Sequence, residues 1–265
     1  MEIRDNVFVV TGGGNGIGRE VALALLARGA RVAAVDLSEA GLERTAALAR
    51  AGDRLTAIPV DITDREAVLA LPTAVTATHG RVDGLVNVAG IVHAFKPIAD
   101  LGFDDIERVL AVNFWGTVNT TKAFLPLLVA RPAAALVNVA SMGSLVPFPG
   151  QGAYGASKAA VKLFTEGLIA EHQDGPLKVT VVFPGGIATN ILGNSGIGAP
   201  GGATSQASAK LTSAAEAARR IVDAVATGAP RVTIGKDARM LDRLSRLMPA
   251  RAIPLIARKM RDLVR

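Results

Sequence analysis

The 265 residues include no cysteine. That excludes a disulfide framework, a thiolate metal site and a cysteine nucleophile. It fits a reducing compartment, so a cytoplasmic location is expected, and no metal is expected. Aromatic residues make up 4% of the chain, with a single tryptophan and a single tyrosine. No apolar run reaches the ~20 residues of a membrane-crossing helix. The opening residues, MEIRDNVFVVTGGG, enter a strand at once, and no signal-peptide pattern is expected there. No internal repeat is visible, and only the stretch 193–209 is compositionally poor.

Excess charge is missing from most of the chain. The net charge is +6, yet residues 1–235 balance twenty basic against twenty acidic side chains. Residues 236–265 hold nine Lys/Arg and three Asp/Glu, which accounts for the whole +6. Nucleic-acid binding would need a basic face with aromatic or base-reading groups. This tail has no aromatic residue, so no nucleic-acid partner is expected.

What is present is half hydrophobic, with 28 glycines, and suits an α/β domain with a sizeable core. Val7 to Val10 reads as a buried strand, TGGGNGIG follows from Thr11 to Gly18, and Arg19 to Arg28 reads as a helix. Strand, glycine turn and helix start form a phosphate-binding entry, with backbone N–H groups facing an anion. Glycines at 12, 16 and 18 allow the tight turn and a close approach.

The next strand, Arg31 to Val35, ends in Asp36. A carboxylate there can bond a ribose hydroxyl and repel a 2′-phosphate; the plainer role is to start the turn before a helix at 39–50. Leu37 follows with no basic neighbour, and Asn15 stands where a basic residue would serve a phosphate. NAD is therefore expected over NADP.

Leu55 to Val60 is a third strand, followed by Asp61 and Ile62, with Asp61 placed to meet an adenine amino group. Thr63 to Glu66 has the form of a capping box. A fourth strand, Leu85 to Val88, leads through Asn87 into Ala89 and Gly90, whose small size admits a close neighbour. A helix around Asp104 to Leu127 carries Asn113, either a satisfied core amide or a functional one. Alternating strands and helices indicate a parallel doubly wound sheet with its site at the strand ends.

The stretch SMGSLVPFPGQGAYGASK carries the chemistry. Ser141 ends a buried strand (Ala134 to Ala140). Tyr154 and Lys158 stand i and i+4 on one helix face. A lysine ammonium beside a phenol lowers the phenol pKa and equips it as a general acid or base. By itself such a pair is more often a packed ring beside a solvated charge. A sixth strand, Val179 to Phe183, leads into Pro184, Gly185, Gly186, Ile187, Ala188 and Thr189.

With these residues assembled, the chain resembles the classical short-chain dehydrogenase/reductase family over residues 5–190. Thr11, Gly12, Gly16 and Gly18 match its glycine motif. Asn87, Val88, Ala89 and Gly90 match its N-N-A-G, with valine for the second asparagine. Asn113, Ser141, Tyr154 and Lys158 match its catalytic set, and Pro184, Gly185 and Thr189 its P-G motif.

The resemblance implies a Rossmann-type domain over 1–235 and a homodimer or homotetramer. It implies NAD held by Thr11, Gly12, Asn15, Gly16, Ile17, Gly18, Asp36, Leu37, Asp61, Ile62, Asn87, Ala89, Gly90, Tyr154, Lys158, Pro184, Gly185, Ile187 and Thr189. Tyr154 moves the proton of a substrate hydroxyl or carbonyl, and Lys158 holds the nicotinamide ribose and lowers the tyrosine pKa. Ser141 bonds the substrate oxygen, and Asn113 helps to hold a water beside Lys158.

The substrate side is expected from 91–95, 146–151 and 187–192. Its apolar character, through Phe95, Val146, Phe148 and Leu192, suggests an apolar alcohol or ketone, steroid-like, lipid-like or aromatic. His93 and Gln151 are its polar candidates, though His93 reads more readily as a solvent-facing loop residue. Residues 190–212 read as a lid. Ser213 to Glu216 is a second capping box, and Arg231 to Gly235 a last strand. The basic extension 236–265 carries two apolar stripes: Met240, Leu241, Leu244, Leu247 and Met248, then Ile253, Ile256, Met260, Leu263 and Val264. It is expected to pack within the protein or a dimer; contact with an anionic membrane is the less favoured reading.

Overall fold

The computed structural model describes residues 1–197 and 211–259. The first half runs β1 (Val7–Thr11), α1 (Gly16–Ala27), β2 (Arg31–Asp36), α2 (Glu39–Ala49), β3 (Leu55–Pro59), α3 (Arg65–His79) and β4 (Gly84–Asn87). Next come α4 (Phe103–Leu110), one π-helical turn at Ala111–Trp115, and α5 (Gly116–Val129). The sequence-expected helix is thus present, but an extra residue is wound into it where Asn113 sits. β5 (Ala134–Val139), α6 (Gly152–Glu171), β6 (Leu177–Pro184), β7 (Ile187–Ala188) and α7 (Ile191–Asn194) follow. The chain ends with β8 (Thr212–Ser213), α8 (Ala214–Thr227), β9 (Arg231–Ile234), α9 (Lys236–Leu247) and α10 (Pro249–Lys259).

Seven parallel strands form one sheet in the order β3-β2-β1-β4-β5-β6-β9. Every residue of β1 and β5 is buried, because helices cover both faces, which is why these strands read as unbroken apolar runs. On one face Phe8, Val10, Val32 and Ala34 meet α1 (Val21, Leu25) and α8 (Ala217, Ile221). On the other, Val7, Val9, Ala33 and Val35 meet α3 (Leu71, Val75), α5 (Phe124, Leu128) and α6 (Leu168). The chain reverses direction across the sheet beside β1, so β1 and β4 flank the point where an open α/β sheet leaves a crevice.

Helix starts follow the sequence with one correction. Ser213 caps α8 by accepting from Glu216 N at 3.1 Å, as its capping box predicts. At α3 the cap is Asp64, not Thr63: its Oδ1 accepts from Glu66 N and Ala67 N at 3.0 and 3.1 Å. The Thr63 hydroxyl is turned to Asp61 Oδ1 at 2.8 Å.

The C-terminal extension packs on the protein. Leu241 of α9 and Ala252 and Ile256 of α10 are buried against Val146, with Met142, Leu145, Phe148 and Leu244 around them. The expected stripes divide, because only one side of each helix meets the domain. Met240, Leu247, Met248 and Ile253 are exposed. Met260, Leu263 and Val264 lie outside the described residues, as do 198–210 of the expected lid. Among the described residues no helix is long and apolar enough to cross a membrane.

Candidate active site

A cleft of about 490 Å³ lies over the carboxyl ends of the strands. Gly12, Asn15, Gly16, Ile17 and Gly18 line it at the β1–α1 turn. Asp36, Leu37, Asp61 and Ile62 line it beyond β2 and β3, and Ala89 and Gly90 beyond β4. Thr189 closes over Gly16, its Cγ2 standing 3.6 Å from where a Cβ at Gly16 would be.

The glycines are required by this geometry. Gly12 has φ +71°, and a Cβ there would lie 2.9 Å from Ala89 N. A Cβ at Gly18 would collide with the Gly12 carbonyl, so only glycine lets α1 start against the turn. The floor is thus bare backbone at a helix N-terminus, which suits the pyrophosphate of a dinucleotide.

Asp36 both starts a turn and lines the cleft. Its Oδ1 accepts from Ser38 N at 2.9 Å, which starts the turn into α2. Its Oδ2 accepts from Gly14 N at 2.9 Å, which fixes the carboxylate against the glycine turn and on the cleft wall. Behind it the Arg19 guanidinium is occupied by Gly14 O, Gly41 O and Thr45 Oγ1.

Beneath the cleft lies a polar row. Register places Thr11 beside Asn87, and Asn87 beside Asn138. Asn87 Nδ2 donates to Asn138 Oδ1 at 2.9 Å, its Oδ1 accepts from Thr120 at 2.9 Å, and Asn138 donates onward to Thr165 at 3.0 Å. The Asn87 side chain is thus bonded within the sheet. Thr11 is also buried, its hydroxyl accepting from Val88 N and Ala89 N at 3.1 and 3.3 Å, so it shapes the β4 loop from below.

Ser141, Tyr154 and Lys158 converge beyond β5. Ser141 caps a short turn, its Oγ accepting from Gly143 N at 3.1 Å, which leaves its own proton free to donate. A Cβ at Gly143 would lie 3.5 Å from Ser141 Oγ and 3.6 Å from Tyr154 Cε1, so hydroxyl and ring crowd one spot. Lys158 is buried one turn on from Tyr154, with Nζ donating to the Val139 carbonyl at 3.0 Å.

Asn113 is also fully buried. It brackets the Ile91 backbone, Oδ1 accepting from Ile91 N at 2.8 Å and Nδ2 donating to Ile91 O at 2.9 Å, and it reaches Ser157 Oγ at 2.9 Å. Oδ1 of Asn113 and Nζ of Lys158 lie 3.1 and 3.0 Å from where a Cβ at Gly90 would stand. Gly90 is therefore the gap between them.

Burial pushes the Tyr154 phenol pKa up, and a hydrogen bond with Ser141 pulls the other way. Burial also pushes the Lys158 ammonium down from 10.5 to about 8.

The expected substrate residues lie off this cleft. His93 is buried, not solvent-facing, with Nδ1 against Ala94 O at 2.7 Å and Nε2 unpartnered. Gln151 is buried too, donating to His93 O at 2.8 Å. Val146 lies beneath the C-terminal helices with Phe148 at the edge of the same cluster, Phe95 is 36% exposed, and Leu192 is half-buried. Pro184 is buried and Gly185 half-buried, and Ile187 packs toward the core.

Two lining residues had no sequence signal. Asn194 donates to Asn15 Oδ1 at 2.8 Å, and Arg108 reaches Ser195 O at 3.4 Å. Neither belongs to a motif; Asn194 is brought in by α7 and Arg108 by α4.

The model of the short chain dehydrogenase family matches residues 6–198. The chain belongs to the short-chain dehydrogenases, oxidoreductases that bind NAD or NADP and act on small molecules, typically as oligomers. SadH of Mycobacterium tuberculosis is 42% identical over 265 residues, spanning 95% of this chain and 94% of its own; its name provisionally makes it an oxidoreductase and states no substrate. The 2-(S)-hydroxypropyl-CoM dehydrogenase 3 of Xanthobacter autotrophicus is 34% identical, over 74% of this chain and 77% of its own. Among solved structures, a short chain dehydrogenase/reductase from Burkholderia phymatum in complex with NAD superposes with a TM-score of 0.83 at 26% identity, covering 93% and 94% of the two chains. One from Burkholderia cenocepacia in complex with NADP superposes with 0.80 at 27%, covering 98% and 99%.

Proposed function

We propose that this chain is an NAD-linked dehydrogenase/reductase that interconverts an apolar secondary alcohol and its ketone. The observation that carries the cofactor preference is the Asp36 carboxylate, held on the cleft wall by Gly14 N and Ser38 N. A fixed anion there accepts from ribose hydroxyls and repels a 2′-phosphate. Gly12 to Gly18 would hold the pyrophosphate, Asp61 and Ile62 the adenine, and Gly90, Tyr154 and Lys158 the nicotinamide ribose. The bound nicotinamide supplies or accepts a hydride.

The chain's own part is proton handling and placement. Ser141, whose oxygen is already occupied as an acceptor by Gly143 N, donates its proton to the substrate oxygen. Tyr154 gives its phenolic proton to a carbonyl oxygen, or takes one from a hydroxyl. Burial keeps the phenol protonated in the free protein, which readies it as an acid. As a base it needs Lys158 charged beside it, and the lysine pKa of about 8 leaves much of that charge in place at neutral pH.

The apolar substrate reading is supported by Met142, Leu145 and Phe148, which stand beside Ser141 and are capped by the C-terminal helices. Exposed Trp115, on the π-helical turn before α5, and Leu163, on α6, support a homo-oligomer. Residues 1–235 would be the catalytic unit and 236–265 its extension.

The test is nicotinamide absorbance during turnover of apolar secondary alcohols and ketones, with NAD(H) and NADP(H), for wild type and Tyr154→Phe. Turnover with NAD(H) that Tyr154→Phe abolishes is expected. Preference for NADP(H) would overturn the Asp36 argument. Undiminished turnover by Tyr154→Phe would overturn the proton assignment.

A further inference from the structure

Asp237 belongs to no motif, yet it is built into the loop after β6. It is the second residue of α9 (Lys236–Leu247), the first helix of the C-terminal extension. Its Oδ2 accepts from Gly186 N at 2.7 Å. Its carboxylate fills the space where a Cβ at Gly185 or at Gly235 would stand, and Gly235 also has φ +99°, so both positions favour glycine. The rest of the loop is tied down at either side: Gly185 N donates to Ile234 O at 2.8 Å, and Thr212 N to Gly186 O at 3.0 Å. From there β7 runs to Thr189, which overhangs the Gly16 turn of the cleft.

We propose that Asp237 is a positioning residue for the nicotinamide half of the dinucleotide, and that docking of the C-terminal extension and cofactor binding are thereby linked. This rests on the reading that the segment from Gly185 to Thr189 presents main-chain groups to the nicotinamide carboxamide. A backbone that must meet a planar amide needs a fixed peptide orientation. Gly186 has no side chain to fix it, and the charged hydrogen bond from Asp237 does so instead. The carboxylate comes from α9, and α9 is seated by Leu241 beside Ala252 and Ile256 of α10. Loosening the extension therefore frees the Gly186 peptide, and a ligand that needs that peptide fixed favours the docked extension by the same factor.

The test compares Asp237→Ala and Asp237→Asn with wild type, using two probes on the intact protein: NADH, by fluorescence, and ADP-ribose, which lacks the nicotinamide, by calorimetry. Asp237→Ala is expected to weaken NADH about tenfold, the scale of a lost charge-assisted hydrogen bond, and to leave ADP-ribose within about twofold. Asp237→Asn, whose amide oxygen can still accept from Gly186 N, is expected to stay near wild type. NADH should also slow hydrogen exchange in 236–247, and ADP-ribose should not. Equal weakening of both probes, or an unchanged NADH affinity with only a lowered Tm, would overturn the proposal and leave Asp237 a structural brace. A wild type that binds neither probe would overturn the dinucleotide reading itself, and the positioning role with it.

Discussion

At the scale of single residues, burying Lys158 carries a cost. Its pKa of about 8 lies below its ordinary 10.5, so holding it charged at neutral pH costs about 3 kcal/mol. Between those values the unfolded chain binds more protons than the folded one, so the Lys158 contribution makes stability rise with pH across that window. Tyr154, whose pKa is raised, works the other way, but only above about pH 10. Lys158→Met should therefore be more stable than wild type at pH 7, by up to about 3 kcal/mol, with the gap closing towards pH 10. Urea midpoints at a series of pH values would show it, and a gap that does not depend on pH would refute it. Asp36 allows a second test. Asp36→Ala removes the repulsion toward a 2′-phosphate but leaves Gly14 N without an acceptor, whereas Asp36→Asn keeps one. Relative use of NADP(H) should rise in both, with the smaller loss of Tm in Asp36→Asn.

At the scale of elements, the strands were legible because burial on both faces leaves no polar alternation to confuse them; Val7–Thr11 and Ala134–Val139 are examples. The glycine turn was legible because only glycine fits it. The π-helical turn at Ala111–Trp115 was not, since one extra residue leaves helix composition unchanged. Nor was the burial of His93: a histidine three residues past Gly90 looks like any loop residue until Gln151 is seen closing on its carbonyl. The inward turn of the Asn87 side chain was not legible either, because sequence cannot say which way a strand-end amide points. The cap of α3 was off by one residue, as two hydroxyl- or carboxyl-bearing side chains stand next to each other. That correction can be checked: Asp64→Ala should cost about 1 kcal/mol of stability by chemical denaturation, whereas a change at Thr63 removes only its bond to Asp61.

At the scale of the whole molecule, the residue types in residues 1–190 made the family and the cofactor cleft readable, and the extension was the part that needed coordinates. Its amphipathic helices could have faced the domain, a second copy or a bilayer, and composition alone does not choose. The buried Leu241, Ala252 and Ile256 show that it faces the domain. The surface left over elsewhere makes a prediction about assembly. Trp115 is 50% exposed and Leu163 69% exposed, and both are large apolar groups on the outer helices. The double variant Trp115→Glu, Leu163→Glu should lower the mass measured by light scattering to that of one chain of 27.2 kDa. An unchanged mass would place the contact on another face.

The strand order also says how the sheet can be made. Each strand after β1 joins at an edge that is still open: β2 and β3 on one side, then β4, β5, β6 and β9 in turn on the other. No strand has to be threaded between two that are already paired. A chain emerging from the ribosome can therefore build outward without undoing what it has built, as suits folding that begins at the N-terminus. The half that carries the glycine turn and Asp36 forms first, and Tyr154 and Lys158 arrive later. The carboxylate that braces Gly186 arrives nearly last, when the edge at β9 has already closed.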